Sequence, residues 1–128
     1  MSVRQTAHRP AVYNHLPADR YEFLELSDAA GPYALAALAE HPDALELHLE
    51  MLRWGPRAAR GLETDLAWLK DRARRTGKHR ILGIRQETDG APDPRWPKFT
   101  RHYGFTGQCV LQMASLELDD AAAEASPR

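Results

Sequence analysis

Four local patterns between residues 44 and 84 do most to restrict how this chain can fold. Residues 44–51 alternate apolar and polar side chains, which is typical of a strand with one buried face. Gly55-Pro56 then begins a helix, because proline at the first helical position loses no useful hydrogen bond, and Gly77 ends it. A short apolar run of strand length follows at residues 79–84. Because a strand, helix and strand in this order return the chain parallel to itself, the sequence predicts an α/β fold.

The helix and the strand before it each carry a further signal. Apolar residues in the helix recur at spacings of three and four, which places them on one face. They are Ala58, Leu62, Leu66, Leu69 and Ala73. A turn signal at residues 41–43 separates the strand at 44–51 from a similar run at 33–40, so we expect a hairpin. A helix at 44–51 is the alternative, since alanine, leucine and glutamate are good helix formers.

Two further elements are expected after the second of these strands. Residues 87–94 are rich in glycine and proline and are expected to form a loop. Asp93 is placed to cap a short helix that runs through His102. Residues 110–118 are predicted to be the last strand, next to Cys109 as a small core residue.

These elements predict one domain built on a mixed, mostly antiparallel central sheet. At 128 residues the chain is large enough for a single core. We place the domain at residues 1–118, with its core in 33–118. The acidic, alanine-rich residues 119–128 are expected to be a disordered tail.

The formal charge of −1 hides an uneven distribution along the chain. Residues 1–52 carry a net charge of −5, residues 53–101 of +7 and residues 102–128 of −3. A basic middle suits an anionic ligand. It also suits nucleic acid, but the basic part has no helix-turn-helix, zinc finger or aromatic stacking platform, so we disfavour that partner.

Several other classes of protein and site are excluded by the sequence. The single cysteine and six scattered histidines have no metal-ligand spacing, so no metal is expected. The sequence also has no signal peptide and no apolar run long enough to cross a membrane, which predicts a cytoplasmic protein without a membrane partner.

The start of the predicted helix is a candidate anion site. Its first amides have no partner within the helix, and the helix dipole favours negative charge there. Arg53, Arg57 and Arg60 would add to that attraction. The plainer interpretation is that Gly55-Pro56 only begins a helix whose arginines face water.

The order of these elements resembles the core of the Gcn5-related N-acetyltransferase (GNAT) superfamily, in a small form of the kind that bacteriophages and prophages carry. The resemblance covers residues 33–118 and includes ARRTG at 73–77 and FTRHYGF at 99–105. It implies a transferase that binds acetyl-coenzyme A or another acyl-CoA and acylates an amine acceptor. The acyl arm would lie between the strands that carry Glu50 and Ile81.

The resemblance also implies the residues of the site. The turn that holds the cofactor pyrophosphate would comprise Arg53, Trp54, Gly55, Arg57, Ala58, Ala59, Arg60, Gly61 and Leu62. Glu46, His48 and Glu50 share one face of the strand, and any of them could be the base that takes a proton from the amine. The plainer interpretation is that these three side chains alternate out to water.

Some residues depart from the family pattern. Arg60 and Leu62 stand where the family has small residues in its pyrophosphate turn, and Thr100 stands where it often has a tyrosine acid. Tyr103 is expected to be a packing or surface residue. These departures support a second hypothesis, a non-catalytic phage or prophage structural or host-interaction protein on the same fold. A homodimer or another protein partner is compatible with either hypothesis.

Overall fold

The computed structural model describes residues 2–87 and 91–119, in which a five-stranded sheet is packed against two helices. Its elements, in chain order, are β1 (Ser2–Gln5), β2 (Glu22–Asp28), β3 (Gly31–Glu40), β4 (Ala44–Met51), α1 (Pro56–Arg75), β5 (Arg80–Gly83) and α2 (Trp96–His102). A short 3₁₀ turn, Ala11–Tyr13, lies between the first two strands. No described helix has the length and apolar character needed to cross a membrane.

The strands lie in the sheet in chain order, β1-β2-β3-β4-β5. Neighbours from β1 to β4 are antiparallel, and β3 and β4 form the expected hairpin, with Leu35 opposite Glu50 and Ala37 opposite His48. The last pair, β4 and β5, is parallel because α1 carries the chain back between them. The predicted mixed, mostly antiparallel sheet is therefore confirmed, and so is its strand–helix–strand core.

The main core lies between the sheet and α1. The apolar stripe predicted for the helix is buried in full, with every one of its five members at most 5 % exposed. It packs on side chains from one face of β2, β3 and β4. At Gly61 a side chain would collide with the Tyr33 ring, since a Cβ there would lie 3.1 Å from it. Glycine therefore lets α1 approach β3 closely.

A buried polar pair crosses this apolar core. The Tyr33 hydroxyl donates to Oδ2 of Asp65 at 2.5 Å, and neither residue has any exposed surface. The second carboxylate oxygen of Asp65, Oδ1, is buried without a hydrogen-bond partner. Burial is the largest influence on this group, and it raises the pKa of the Asp65 carboxyl despite the hydrogen bond from Tyr33.

The opposite face of the sheet is also covered in part, which the sequence did not predict. The segment between β1 and β2 lies over it and forms a second cluster of Tyr13, Leu16, Phe23 and Ala37. Strand β4 is consequently buried on both faces over its first five residues. The polar residues of that stretch do not alternate out to water.

The predicted last strand is wrong for the described part of the chain. Residues 106–119 contain neither helix nor strand, and Cys109 is exposed instead of lying in the core. A run of apolar residues becomes a strand only when a neighbouring strand pairs with it, and none does so in the described part. The tail expected at residues 119–128 lies outside the described residues except for Asp119.

The short helix predicted to run through His102 is confirmed, but Asp93 is not its cap. The helix begins at Trp96, and the Asp93 carboxylate accepts a hydrogen bond from the backbone N–H of Arg95, one residue before it. Arg95 occupies the capping position and makes no capping side-chain bond.

Candidate functional site

The candidate site lies where β4 and β5 part. Their last rung is a hydrogen bond of 3.0 Å from the backbone N–H of Ile84 to the carbonyl of Leu47. Strand β4 continues to Met51, whereas β5 ends at Gly83. Because alternate residues of a strand direct their backbone groups to the same side, Leu49 turns its N–H and carbonyl toward the opening, as Leu47 does toward β5. The opening therefore offers the edge of an unpaired strand.

Side chains of α2 close most of this opening on its α1 side. The space that remains is a cavity of about 30 Å³. Its lining comes from β4, β5, α1 and the α2 region, and includes Leu49, Gly83, Phe99, Tyr103 and Phe105. The Phe105 ring fits over Gly83 so closely that a Cβ there would lie 3.2 Å from it. The backbones of β4 and β5 diverge, but aromatic side chains fill the space between them.

The N-terminus of α1 lies at the same end of β4 as the opening. Gly55 caps the helix with φ of 120°, a conformation that favours glycine. The first helical hydrogen bond runs from the N–H of Ala59 to the carbonyl of Gly55, so the donors before it point out of the helix end. Arg57 and Arg60 are exposed in the first turns, and no acidic residue stands there. The helix end is thus an electropositive surface.

The other residues predicted for the pyrophosphate turn divide into exposed and internal groups. Trp54 is 66 % exposed and sets its ring edge-on to Phe99, with 5.5 Å between ring centroids, and Ala59 is exposed as well. Ala58 and Leu62 are buried in the core, and Gly61 faces Tyr33. These three residues hold the helix to the sheet.

Arg53 is also occupied within the structure. Its guanidinium donates to Asp28 at 2.5 Å and to the Gly31 carbonyl at 3.1 Å, which ties the end of β4 to the turn between β2 and β3. The Arg53 hydrogen bond is the largest influence on the Asp28 carboxyl, and it lowers the pKa of that group. Arg53 therefore supports the loop before α1, while Arg57 and Arg60 remain open to a ligand.

A compact polar network lies on the other face of β4. The Glu46 carboxylate accepts from the Tyr21 hydroxyl at 2.5 Å and lies 2.7 Å from Nε2 of His41 and 2.6 Å from Nε2 of His48. Burial alone would raise the pKa of Glu46, but the three hydrogen bonds outweigh it and hold that pKa below its usual value. The Tyr13 hydroxyl donates to the His48 carbonyl at 3.3 Å.

The sequence did not predict this network. The alternation at 44–51 identified Glu46 and His48, but nothing in the local pattern linked them to Tyr13 and Tyr21 in the segment before β2. Burial, and then the hydrogen bond to Glu46, raise the pKa of Tyr21 to about 12. The tyrosine thus remains a hydrogen-bond donor at neutral pH.

The network should make folding stability sensitive to acid. Since the pKa of Glu46 is lower in the folded state than in the unfolded chain, its contribution is present above the unfolded pKa and is lost as pH falls through the folded pKa. We expect the free energy of unfolding to decrease as the pH is lowered below about 4.5. The Glu46→Gln variant should be less stable than the parent protein at pH 7 and should lose less stability on acidification. Urea unfolding at pH 7 and at a pH below about 4.5 measures both effects. Equal acid sensitivity in the two proteins would contradict this role.

Glu50 stands apart from the network. It is half-buried on the same face, beyond the last rung between β4 and β5. Burial mainly, and then the negative charge of Glu50, raise the pKa of Tyr13. Of the three predicted bases, Glu46 and His48 bond to each other, whereas Glu50 is the one at the opening.

Thr100 and Tyr103 both serve packing. Thr100 is buried, and its hydroxyl bonds to the Trp96 carbonyl at 3.0 Å within α2. Tyr103 packs on the main core and on Phe99, with 5.3 Å between ring centroids, which confirms the predicted packing role. Burial raises the pKa of Tyr103. Among the described residues, no group of histidine, cysteine and acidic side chains could hold a metal ion.

Comparison with known proteins identifies the fold. No family model and no curated protein matches the sequence. Solved structures do match: glucosamine-6-phosphate N-acetyltransferase from Arabidopsis thaliana has a TM-score of 0.51 at 9 % identity, over 78 % of this chain and 69 % of that one. The chain has a GNAT-like fold.

Two further structures with the GNAT-like fold agree. A Pyrococcus furiosus protein assigned as an acetyl transferase has a TM-score of 0.50 at 12 % identity, over 75 % of this chain and 66 % of that one. Bacillus subtilis YycN, assigned as an acetyltransferase, has a TM-score of 0.50 at 16 % identity, over 82 % and 68 %. The structural similarity establishes the GNAT-like fold. At identities this low it does not extend to the substrate or the activity, which have to be argued from the residues of the site.

Proposed function

We propose that the protein is an acyl-CoA-dependent N-acyltransferase that acts on an amine acceptor. The observation that carries the proposal is the placement of an open strand edge beside an electropositive helix end. Leu49 turns its backbone toward the parting of β4 and β5, and the N-terminus of α1 with Arg57 and Arg60 lies at the same end. An extended ligand with an anionic end fits such a surface.

The donors at the start of α1 fit the cofactor pyrophosphate. Backbone N–H groups before Ala59 and the two exposed guanidinium groups would hold the phosphates by charge-assisted hydrogen bonds. Trp54, largely exposed beside them, would cover an adjoining part of the ligand. The backbone of Leu49 would bond to the amide-bearing arm as a neighbouring strand does. Acyl-CoA supplies an acyl group activated as a thioester.

The other face of β4 would bind and deprotonate the amine. Glu50 lies at the opening without a partner in the Glu46 network, so it is the carboxylate that would take the proton from the acceptor nitrogen. Glu46 and His48 would position β4 through their mutual bond and that with Tyr21. Thr100, at the position of the family's tyrosine acid, is buried against its own helix. The thiolate of the departing coenzyme A would therefore receive its proton from water.

Calorimetry with acetyl-coenzyme A and with free coenzyme A tests the cofactor site. We expect dissociation constants in the micromolar range for both. An absence of heat at millimolar ligand would contradict the proposal. Release of free thiol during incubation with a panel of small amines and peptide N-termini would then identify the acceptor class.

Reversing the two exposed charges at the start of α1 should weaken cofactor binding. The Arg57→Glu/Arg60→Glu variant is expected to bind coenzyme A roughly thirtyfold more weakly, or by about 2 kcal/mol, because two attractive charges beside the phosphates become repulsive. The matched control is Lys70→Glu/Arg74→Glu, which makes the same charge change at exposed positions farther along α1. Equal affinities in the two variants would remove the site from the helix end.

A non-catalytic interaction protein is the second candidate. It is favoured by the filling of the opening, where Phe99, Tyr103 and Phe105 leave only about 30 Å³. It is also consistent with the internal roles of Gly61 and Leu62 in the expected pyrophosphate turn. The calorimetric result separates the two functions, since a protein of this kind would bind no coenzyme A.

A further inference from the structure

A second cavity lies at the other end of the sheet from the opening between β4 and β5. Its volume is about 340 Å³, whereas the opening holds about 30 Å³. Its walls come from the residues before β2, the end of β3, the start of β4 and the last turn of α1, and include Arg20, Tyr21, Glu22, Glu40, Leu45 and Arg72. Sites for small molecules have volumes of about 300–1,000 Å³, so this space has the size of a ligand site. We refer to it as the distal cavity.

The distal cavity is separate from the proposed transfer site. Leu45 lines the cavity near the start of β4, whereas Glu50 lies at the opening, farther along the same strand. At about 3.3 Å per residue these two positions are roughly 16 Å apart. Arg72 belongs to the last turn of α1, and the proposed phosphate site to the first. A ligand in the distal cavity is therefore too far from the opening to be the acylated amine, and its binding does not depend on acyl-CoA.

One wall of the distal cavity is a fixed ion pair. The Arg72 guanidinium donates to Oε1 of Glu22, and its central carbon lies 5.9 Å from the centre of the Trp68 ring. Both side chains of the pair are more than two-thirds buried. Because the two charges satisfy each other, this pair sets the shape of the cavity.

Other charges on the rim are open to a ligand. Arg20 and Asp19 are exposed, and neither side chain has a hydrogen-bond or ion-pair partner in the part of the chain that the structure describes. Glu40 is half-exposed, and one of its carboxylate oxygens lies 3.4 Å from Nζ of Lys78. Its second oxygen has no partner among the described residues. The rim thus offers a free cationic group and free anionic groups around one space.

This mixture of charges indicates the chemistry of the ligand. A simple anion would be repelled by Glu40 and Asp19, and a simple cation by Arg20. An uncharged apolar molecule would remove water from these groups without replacing their hydrogen bonds, which is costly. A small zwitterion satisfies groups of both signs.

We propose that the distal cavity binds a free α-amino acid. The carboxylate of the amino acid accepts hydrogen bonds from the Arg20 guanidinium, and its ammonium group donates to Glu40. Its side chain lies toward Tyr21 and Leu45, which belong to the apolar part of the lining. Because the Tyr21 hydroxyl donates to Glu46, the bound amino acid contacts a residue that is bonded to β4.

Calorimetry of the full chain with each of the twenty common amino acids is the first test. We expect at least one of them to bind with a dissociation constant below about 1 mM. Its N-acetyl derivative lacks the ammonium group and its carboxamide lacks the carboxylate. Each should bind at least about tenfold more weakly, because it leaves a charged group of the cavity without a partner. No binding at about 10 mM ligand, or equal affinity for the three compounds, would overturn the proposal.

Variants and NMR spectra locate the site. Arg20→Glu should weaken binding of the amino acid at least about tenfold, because it replaces the cation that holds the carboxylate. The control Lys70→Glu makes the same charge change at an exposed position about 200° around α1 from Arg72, and it should keep the parent affinity. The amino acid should shift the amide NMR signals of Arg20 and Leu45 and leave those of residues 55–60 unchanged. Equal affinities in the two variants, or shifts confined to residues 55–60, would exclude the distal cavity.

Discussion

The Tyr33→Phe substitution is expected to lower the free energy of unfolding by about 3 kcal/mol. The hydroxyl it removes is the hydrogen-bond donor to Oδ2 of Asp65, and Oδ1 of that carboxylate already has no partner. A fully buried carboxylate would then stand without any hydrogen bond in an apolar core. Removing one member of such a pair costs more than the bond itself contributes, because the remaining group stays desolvated. Urea unfolding at pH 7 measures the effect.

Two comparisons make this prediction specific. Tyr103→Phe removes a hydroxyl from a half-buried tyrosine of the same core and should change stability by less than about 0.5 kcal/mol. Tyr33→Phe/Asp65→Leu removes both polar groups and should recover most of the loss. The deficit of Tyr33→Phe should also shrink as pH falls: the Tyr33 hydrogen bond lowers the pKa of Asp65, so its loss lets burial raise that pKa further, and the variant gains more than the parent when the carboxyl is protonated. If adding Asp65→Leu did not reduce the loss of stability caused by Tyr33→Phe, that loss would be due to packing alone.

The Glu50→Gln substitution is expected to lower kcat for amine acylation by roughly 100- to 1000-fold. The amide keeps the shape of the side chain but accepts no proton from the acceptor nitrogen. The KM for acetyl-coenzyme A should stay within about twofold, because the proposed phosphate contacts lie at the start of α1. Steady-state kinetics with an acceptor from the amine panel measure both constants.

Glu25→Gln is the matched control for this substitution. Glu25 lies opposite Leu35, and Leu35 lies opposite Glu50, so the two carboxylates occupy one row and one face of the sheet. Glu25 forms an ion pair with Arg4 and lies two strands away from Glu50. Its amide variant should keep nearly full kcat. Similar losses in both variants would indicate a general charge effect, and no loss in Glu50→Gln would exclude it as the base.

Much of the fold was predictable because its signals are local. Gly55-Pro56, the apolar stripe of α1 and the alternation at β4 each act within a few residues, and the structure confirms the elements they predict. The cover over the second face of the sheet was not predictable, since Tyr13 and Tyr21 meet β4 only through contacts distant in sequence. The last strand was mispredicted because a strand needs a partner strand, which the local sequence does not reveal.

The sequence predicted which residues lie near the start of α1. It did not predict which of them are used for internal contacts and which are open to a ligand. Spacing alone brings Arg53, Arg57 and Gly61 together near the helix start. Only the structure shows that Arg53 is bound to Asp28 and that Gly61 accommodates the Tyr33 ring. A glycine required by close packing and a glycine required by a ligand look alike in a sequence. The same ambiguity applies to an arginine in an internal ion pair and one open to phosphate.

The filled opening between β4 and β5 would make binding of the proposed ligand a competition with the protein's own side chains. A ligand arm that lies along Leu49 would have to displace Phe99 and Phe105, so it would bind only molecules in which these rings have moved aside. The apparent dissociation constant is then the intrinsic one divided by that population, and a protein in which 1 % of molecules are open would bind about 100-fold more weakly than its contacts allow. Truncating either ring would enlarge the open population and tighten binding without adding a single contact to the ligand.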